Sequence, residues 1–360
     1  MRLGFLTKNS PPTTSWYVSL WLFLCCFLLL IIVILGGITR LTQSGLSIVE
    51  WNPFSLLPPI SHKEWEDIFY NYKKFPEYQL KTVGMTLDDF KSIFWLEYLH
   101  RLAGRGIGVL FFGPFLWFLL QQKIDHKLRW KLAGIFLLGS MQGVLGWLMV
   151  QSGLADQPDV SQYLLTAHLG LALLIYGLLL WTALGVLQPR RPFSSLQRMP
   201  LAISLWCVLG FLVLTLLSGG FVAGLDAGFT HNTFPLMNGQ LIPADLFIME
   251  PWYTNLFENV IMVQFQHRLL ALTILVAVLL LWRWERRWST VYRLTRLAMT
   301  LFTVMVVIQC VFGILTLLFV VPVSLAVAHQ AGAFLSFTIG LVTAHFLRVE
   351  DKIHSFISEK

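Results

Sequence analysis

Long apolar stretches separated by short polar ones run through almost the whole chain. Runs long enough to cross a bilayer fall at 17–39, 94–120, 132–150, 161–187, 200–223, 259–282, 297–320 and 324–347. Within them the apolar residues are continuous rather than confined to one helical face, as expected of helices surrounded by lipid and by one another. The pattern therefore predicts an all-α integral membrane protein with eight transmembrane helices. Composition agrees: 56% of the 360 residues are hydrophobic and 12% are charged. That is about half the charge of a soluble domain, and the mean hydropathy is +0.68.

The net charge of +7 does not form a nucleic-acid face. Seventeen of the 26 Lys and Arg fall in alternate tails and loops: Arg2 and Lys8; Lys123, Lys127, Arg129 and Lys131; Arg190, Arg191 and Arg198; Arg283, Arg286, Arg287, Arg293 and Arg296; and Arg348, Lys352 and Lys360. The loops at 151–160, 224–258 and 320–324 have none. This asymmetry places both termini in the cytoplasm. The first span follows a short tail without a cleavage site and reads as an uncleaved anchor. The tail is too short and too poor in Arg for an organellar transit peptide, so a bacterial inner membrane is expected. Cys25, Cys26, Cys207 and Cys310 all lie in apolar runs, where thiols behave as small inert hydrophobes. No outer loop carries a cysteine.

Imidazoles inside a bilayer are costly and need partners. His100, His168, His267 and His329 lie at matching depth in the second, fourth, sixth and eighth runs. The chain also repeats itself. Residues 97–104, EYLHRLAG, align with 264–271, QFQHRLLA, and the same offset carries Gln142 and Gly146 onto Gln309 and Gly313. The fourth run resembles the eighth, and LGGITRLTQSGLS resembles LSGGFVAGLDAG. A parallel duplication gives corresponding side chains the same depth. Two tandem pseudo-symmetric four-helix bundles are thus expected, 1–190 and 191–360, meeting near QPRRPFSSLQR at 188–198. Each would bring two histidines face to face around iron in a porphyrin. The residue four places after each histidine is small: Gly104, Ala172, Ala271 and Ala333. It would let a flat ligand approach the helix. Zinc or copper fits less well, because the histidines are divided between two halves. His126, His345 and His354 are expected on the cytoplasmic side, and His62 and His231 in solvated outer loops.

The halves differ at one telling position. Glu97 precedes His100 by three residues, where Gln264 precedes His267. Glu97 can be a proton acceptor or charge stabiliser beside a reacting ligand. It can equally be a structural carboxylate paired with Arg101 or Arg105. Arg101, Arg105 and Arg268 either snorkel at helix ends or pair with carboxylates of a bound ligand. The first half then reads as the reactive one, and the second as holder of a permanent haem.

Several stretches carry a family resemblance: GGITRLTQSGLSIVEWNPFSLLPP (36–59), FPEYQL (75–80), IFWLEYLHRLAGR (93–105), FVAGLDAGFTHNTFPLMNG (221–239), FQHRLLA (265–271) and AHQAGA (328–333). Together they resemble heme A synthase, in the branch shared by proteobacteria and mitochondria. Some members carry a cysteine pair in outer loops that this sequence lacks, so no thiol step transfers. The resemblance implies oxidation of the C8 methyl of heme o to a formyl group by two successive hydroxylations, giving heme a for terminal oxidases. It implies that His267 and His329 hold a heme b cofactor while His100 and His168 flank the substrate heme, with Glu97 as the catalytic carboxylate. Arg101 and Arg105 in the first half and Arg268 in the second are then the expected partners of the propionates. A handover partner, the protoheme farnesyltransferase that makes heme o, is also implied; the electron acceptor is left open.

The 40–93 segment is too long for a simple connector. Its Trp51, Pro53, Pro58, Pro59, Trp65 and Tyr72 suit an ordered cap at the interface, either covering the first haem pocket or serving packing alone. The competing function is a quinone-linked di-heme b-type electron carrier, against which the Glu97 and Gln264 difference argues. A haem or solute transporter is a third class.

Overall fold

The computed structural model describes residues 12–50, 57–154, 158–187, 199–287, 291 and 293–349. Trp51, Pro53, the 188–198 stretch, His354, Arg2, Lys8, Lys352 and Lys360 lie outside them. All extended regular structure among the described residues is helical. Eight helices are long and apolar enough to cross a membrane. They are α1 (Pro12–Leu41), α4 (Leu87–Leu120), α5 (His126–Gly153), α6 (Gln162–Leu187), α7 (Met199–Gly224), α9 (Val260–Glu285), α10 (Arg293–Leu318) and α11 (Val323–Val349). At 1.5 Å per residue even a 26-residue member is about 39 Å long, more than the hydrocarbon core requires.

The bounds follow local chemistry. Asp125 caps α5 by accepting from the Leu128 amide, and Asn259 caps α9 by accepting from the Ile261 and Met262 amides. The largest departure from hydropathy is at α4, expected from 94 but starting at Leu87. Thr86 and Asp89 form a reciprocal capping box that launches two further turns above the apolar run.

Those turns support an ordered cap. Ser61 and Glu64 form a second capping box at the start of α2 (His62–Tyr72), and Pro76 opens α3 (Pro76–Leu80). Trp65, Phe69 and Tyr72 of α2 are buried against Phe90 and Phe94 of α4. Trp65 and Phe94 meet edge to face with centroids 4.9 Å apart, an arrangement favoured by the ring quadrupoles. The segment is thus folded onto the top of α4. α8 (Asn255–Glu258) and three short 3-10 turns shape the 225–259 connection on the same face.

In the membrane part, α4 packs on α1 and α5, and α6 on α1 and α5; likewise α9 packs on α7 and α10, and α11 on α7 and α10. The inner helices α1, α6, α7 and α11 join these groups through the pairs α6–α7, α1–α11 and α6–α11. Leu22, Cys25, Leu132, Leu179, Leu205, Phe302 and Phe334 fill the interior, while Val109, Trp117, Leu137, Leu280 and Leu294 lie on the exterior. An apolar exterior is ordinary where lipid replaces water. Cys25 and Cys26 are buried as expected, but Cys207 faces outward, where lipid tolerates it as well as leucine.

Candidate functional site

Each of the four histidines rests against a glycine on the spanning helix that comes before its own. A Cβ placed on Gly36 of α1 would stand 3.0 Å from Cε1 of His100, and one on Gly146 of α5 2.9 Å from Cε1 of His168. On Gly219 of α7 it would be 3.3 Å from Cε1 of His267, and on Gly313 of α10 2.8 Å from Cε1 of His329. The glycines let α1, α5, α7 and α10 come close enough to fix the plane of each ring. Gly104, four residues beyond His100, has open space where a side chain would be.

His267 and His329 face each other with ring centroids 6.4 Å apart and planes at 86°. Two metal–imidazole bonds of about 2 Å each, plus the half-widths of both rings, come to about 6 Å. The gap is therefore the right size for one metal held from both sides. His168 lies near enough to His100 to feel its charge, so the first pair is also brought together. Among the described residues no three His, Cys, Asp or Glu gather into a metal cluster, and two-fold imidazole ligation is what the chain offers.

The pairs differ in what holds them. Ser218 Oγ lies 2.8 Å from Nδ1 of His267 while donating to the Thr215 carbonyl. The Gln309 amide nitrogen donates to the His329 carbonyl and lies 2.9 Å from its Nδ1. In the first pair Gln142 makes only the corresponding bond to the His168 carbonyl, at 2.9 Å. Nδ1 of His168 has no partner among the described residues. Nδ1 of His100 has the Ile32 carbonyl nearby, without forming a hydrogen bond of proper geometry. Leu35 precedes Gly36 where Ser218 precedes Gly219. Partners of this kind hold metal-binding imidazoles in one orientation and raise their basicity. Both imidazoles of the second pair have a side-chain partner at Nδ1, and among the described residues neither imidazole of the first pair has one.

Glu97 is buried at 3% exposure among polar partners. Oε2 accepts from Ser47 Oγ and the Ile48 amide, both at 2.7 Å, and Oε1 pairs with Nη2 of Arg101 at 2.5 Å. Arg101 also donates to the carbonyls of Ile48 at 2.7 Å and Glu50 at 3.3 Å. Across the molecule Arg268 donates to the carbonyls of His231 and Thr233, and to Gln264 Oε1 at 3.2 Å. Gln264 in turn donates to the Ala227 carbonyl at 2.8 Å. Each arginine therefore clamps the loop that follows the preceding helix, and its neighbour at the i−4 position completes the clamp. The acid receives a backbone N–H, whereas the amide gives to a backbone carbonyl.

Arg101 and Arg268 thus spend their Nη groups on the chain itself; the pairing of Arg101 with Glu97 was one of the readings open from the sequence, whereas the carbonyl partners were not. Arg105 forms no part of this clamp. Nδ1 of His231 is buried rather than solvated, because the clamp pulls that loop inward. His345 is buried at 1% exposure and packs edge to face on Trp181. His62 remains at the surface beside Glu66. Arg40 at the end of α1 pairs with Asp226 after α7 at 3.0 Å, joining the two loops.

Ser218, the four glycines and the carbonyl partners of the arginines carry no recognisable motif. The only sequence signals were the matched Gly36-Gly37 and Gly219-Gly220 pairs, and the match of Gln142 and Gly146 to Gln309 and Gly313. Glu77, discussed below, lay unremarked inside a family stretch.

Fold and site define a multi-pass membrane protein with two histidine pairs, one of them facing across a gap spaced for a metal. The chain belongs to the COX15-CtaA family of cytochrome oxidase assembly proteins, matching it over residues 19–341. It is 50% identical over 333 residues to the heme A synthase of Nitrosospira multiformis, covering 92% of this chain and 93% of the relative. The heme A synthase of Nitrosomonas eutropha is 48% identical over 338 residues, covering 93% of both. The plant protein heme A synthase COX15 of Arabidopsis thaliana is 42% identical over 361 residues, covering 96% of this chain and 78% of the relative.

Proposed function

We propose that this chain is a heme A synthase, an oxidoreductase that converts heme o to heme a. The observation that carries the division of labour is the bracing of the second histidine pair against the freedom of the first. In this reading the chain comprises two four-helix halves, 1–190 and 191–360. His267 and His329, with Ser218 and Gln309 behind them, hold a resident heme b, and His100 and His168 receive the substrate. A resident haem supplies one-electron transfer when bound. A braced imidazole suits a cofactor that stays. An unbraced one lets a substrate of the same shape enter and leave.

The substrate change is oxidation of the C8 methyl through two successive hydroxylations, the second giving a diol that loses water to leave the formyl group. Glu97 contributes a buried negative charge at the first site, placed to stabilise positive charge developing on the macrocycle. Its ion pair with Arg101 also fastens the 42–50 loop, so the capping segment closes the first pocket and keeps bulk water out. In this reading Arg101 and Arg105 lie on the propionate side of the first site; Arg268, which donates to its loop, supports the second site indirectly. The protein lies in a bacterial inner membrane with its termini in the cytoplasm and its cap outside. It receives heme o from the farnesyltransferase that makes it.

Two measurements test this. Haem extracted from the chain expressed with a heme o source should contain heme b together with heme o and heme a. Heme b alone, filling both sites, would identify an electron carrier, which would need all four imidazoles braced alike. Separately, Gly313→Ala places a methyl 2.8 Å from the His329 ring and must displace it. Haem retention should fall by about tenfold or more, the usual scale for disturbing a ligand's support. Gly108→Ala, with open space around it, should leave retention unchanged.

A further inference from the structure

A second buried carboxylate lies on the capped face, and the chemistry above does not use it. Glu77 on α3 is 4% exposed, and its Oε2 has no hydrogen-bond partner among the described residues. Its carboxyl group interacts with the hydroxyl of fully buried Tyr72, which lies 3.2 Å from Thr82 Oγ1. The charged and titratable groups facing Glu77 are Tyr72, Glu97, Lys81 and Asp159. On one side, Glu97 is close enough for the two carboxylates to repel, and Tyr72 senses both. On the other, Lys81 and Asp159 pair at 2.7 Å with Asp159 half exposed. Glu77 is thus a buried acid of the cap, one turn from Lys81, whose amide donates to the Glu77 carbonyl and whose ammonium reaches Asp159 at the surface.

The two acids are held differently. Glu97 is held by a guanidinium and two hydrogen-bond donors. Glu77 has no cation in direct contact, and burial, with Glu97 adding to it, raises its pKa from the ordinary 4.5 to about 7. The docked cap thus keeps a proton that a solvated Glu77 would release. Docking is favoured at low pH and loses that advantage as pH rises from about 4.5 to about 7.

Oxygen insertion moves protons whichever donor supplies the oxygen. Taken from water, it releases two protons and two electrons per C–H bond; taken from dioxygen, it takes up two of each and forms water. We propose that Glu77 is the proton-exchanging group of the cap, passing protons between the Glu97 pocket and the outer water. Its carboxylate takes a proton from one side, becomes the neutral acid, and returns to carboxylate by giving that proton to the other. No electrons pass through it.

The inference rests on the oxidase reading, and the test separates the two. Full-length protein loaded with haem is compared with Glu77→Gln and Glu77→Asp by pH-difference infrared spectroscopy and by the pH profile of heme o turnover. The parent should show a protonated-carboxyl stretch that disappears as pH is raised through about 7. Glu77→Gln should lack that band, lose roughly a hundredfold in turnover, and lose the matching step in the profile. Glu77→Asp should restore most of the rate with a displaced profile. A parent without the band, or a Gln variant with the parent's pH profile, overturns the proposal. A haem content unchanged in both variants separates proton exchange from misfolding. If the Gln variant loses haem, the parent's band and the Asp profile decide. A parent that shows the band but never oxidises heme o overturns the oxidase reading and not the exchange of protons at Glu77.

Discussion

His267→Ala protein, purified from cells that make both haems, should retain no heme b, while His100→Ala protein should retain it and lose the substrate. The His267 and His329 rings stand 6.4 Å apart, so removing one leaves a metal between them with a single imidazole. The bracing gives a graded version of the same result. Ser218→Ala removes the partner of Nδ1 without touching the ring, and should weaken haem retention by about 10- to 100-fold. No such residue exists behind His100, where Leu35 occupies the matching place. Absorption spectra and haem-to-protein ratios decide. Equal loss of heme b in His100→Ala and His267→Ala would dissolve the distinction between resident and substrate sites.

Glu97→Gln should be nearly inactive with its heme b intact. The substitution leaves Arg101 without its anion, and the single amide oxygen can accept either from Arg101 or from Ser47 and the Ile48 amide, so a donor is set against one of them. Breaking a buried ion pair from one side costs about 3–5 kcal/mol. Spent on the docking of the 42–50 loop, that equals roughly a hundredfold or more in the closed population. Loss of the carboxylate charge beside the substrate adds to it. Turnover should therefore fall by at least two orders of magnitude, with faster proteolysis of the cap. Gln264→Glu is the mirror experiment: it puts an acceptor against the Ala227 carbonyl and should loosen the other loop with little direct effect on oxidation. Glu97→Gln with normal turnover would remove Glu97 from the chemistry.

Both predictions draw on features that were partly visible before any coordinates. Hydropathy located all eight spans because a bilayer imposes one local requirement on each. It placed the start of α4 too late, since a capping box is short and polar and extends a helix without any apolar signal. The histidine quartet was legible because ionisable groups are rare in apolar runs. The contrast of Glu97 with Gln264 was legible because the repeat sets them side by side. The expectation that Arg101 and Arg268 bind a ligand could not be refined, because their partners are backbone carbonyls, which every residue has and no sequence marks. Glu77 escaped notice for a related reason. An acid in a polar loop looks solvated until α2 and α4 are seen to cover it.

The chain's own order of residues determined its class: a helical membrane protein with four imidazoles at one depth and an acid beside only one pair. Periodicity, hydropathy and depth depend on neighbours a few residues apart, so they can be read directly. Tertiary structure alone decided which imidazole is braced, which glycine admits each ring, and where the arginines go. Those choices join residues dozens to hundreds of positions apart, as when Gln330 donates to the Val33 carbonyl at 2.9 Å. Close packing between helices, not any local preference, selects them.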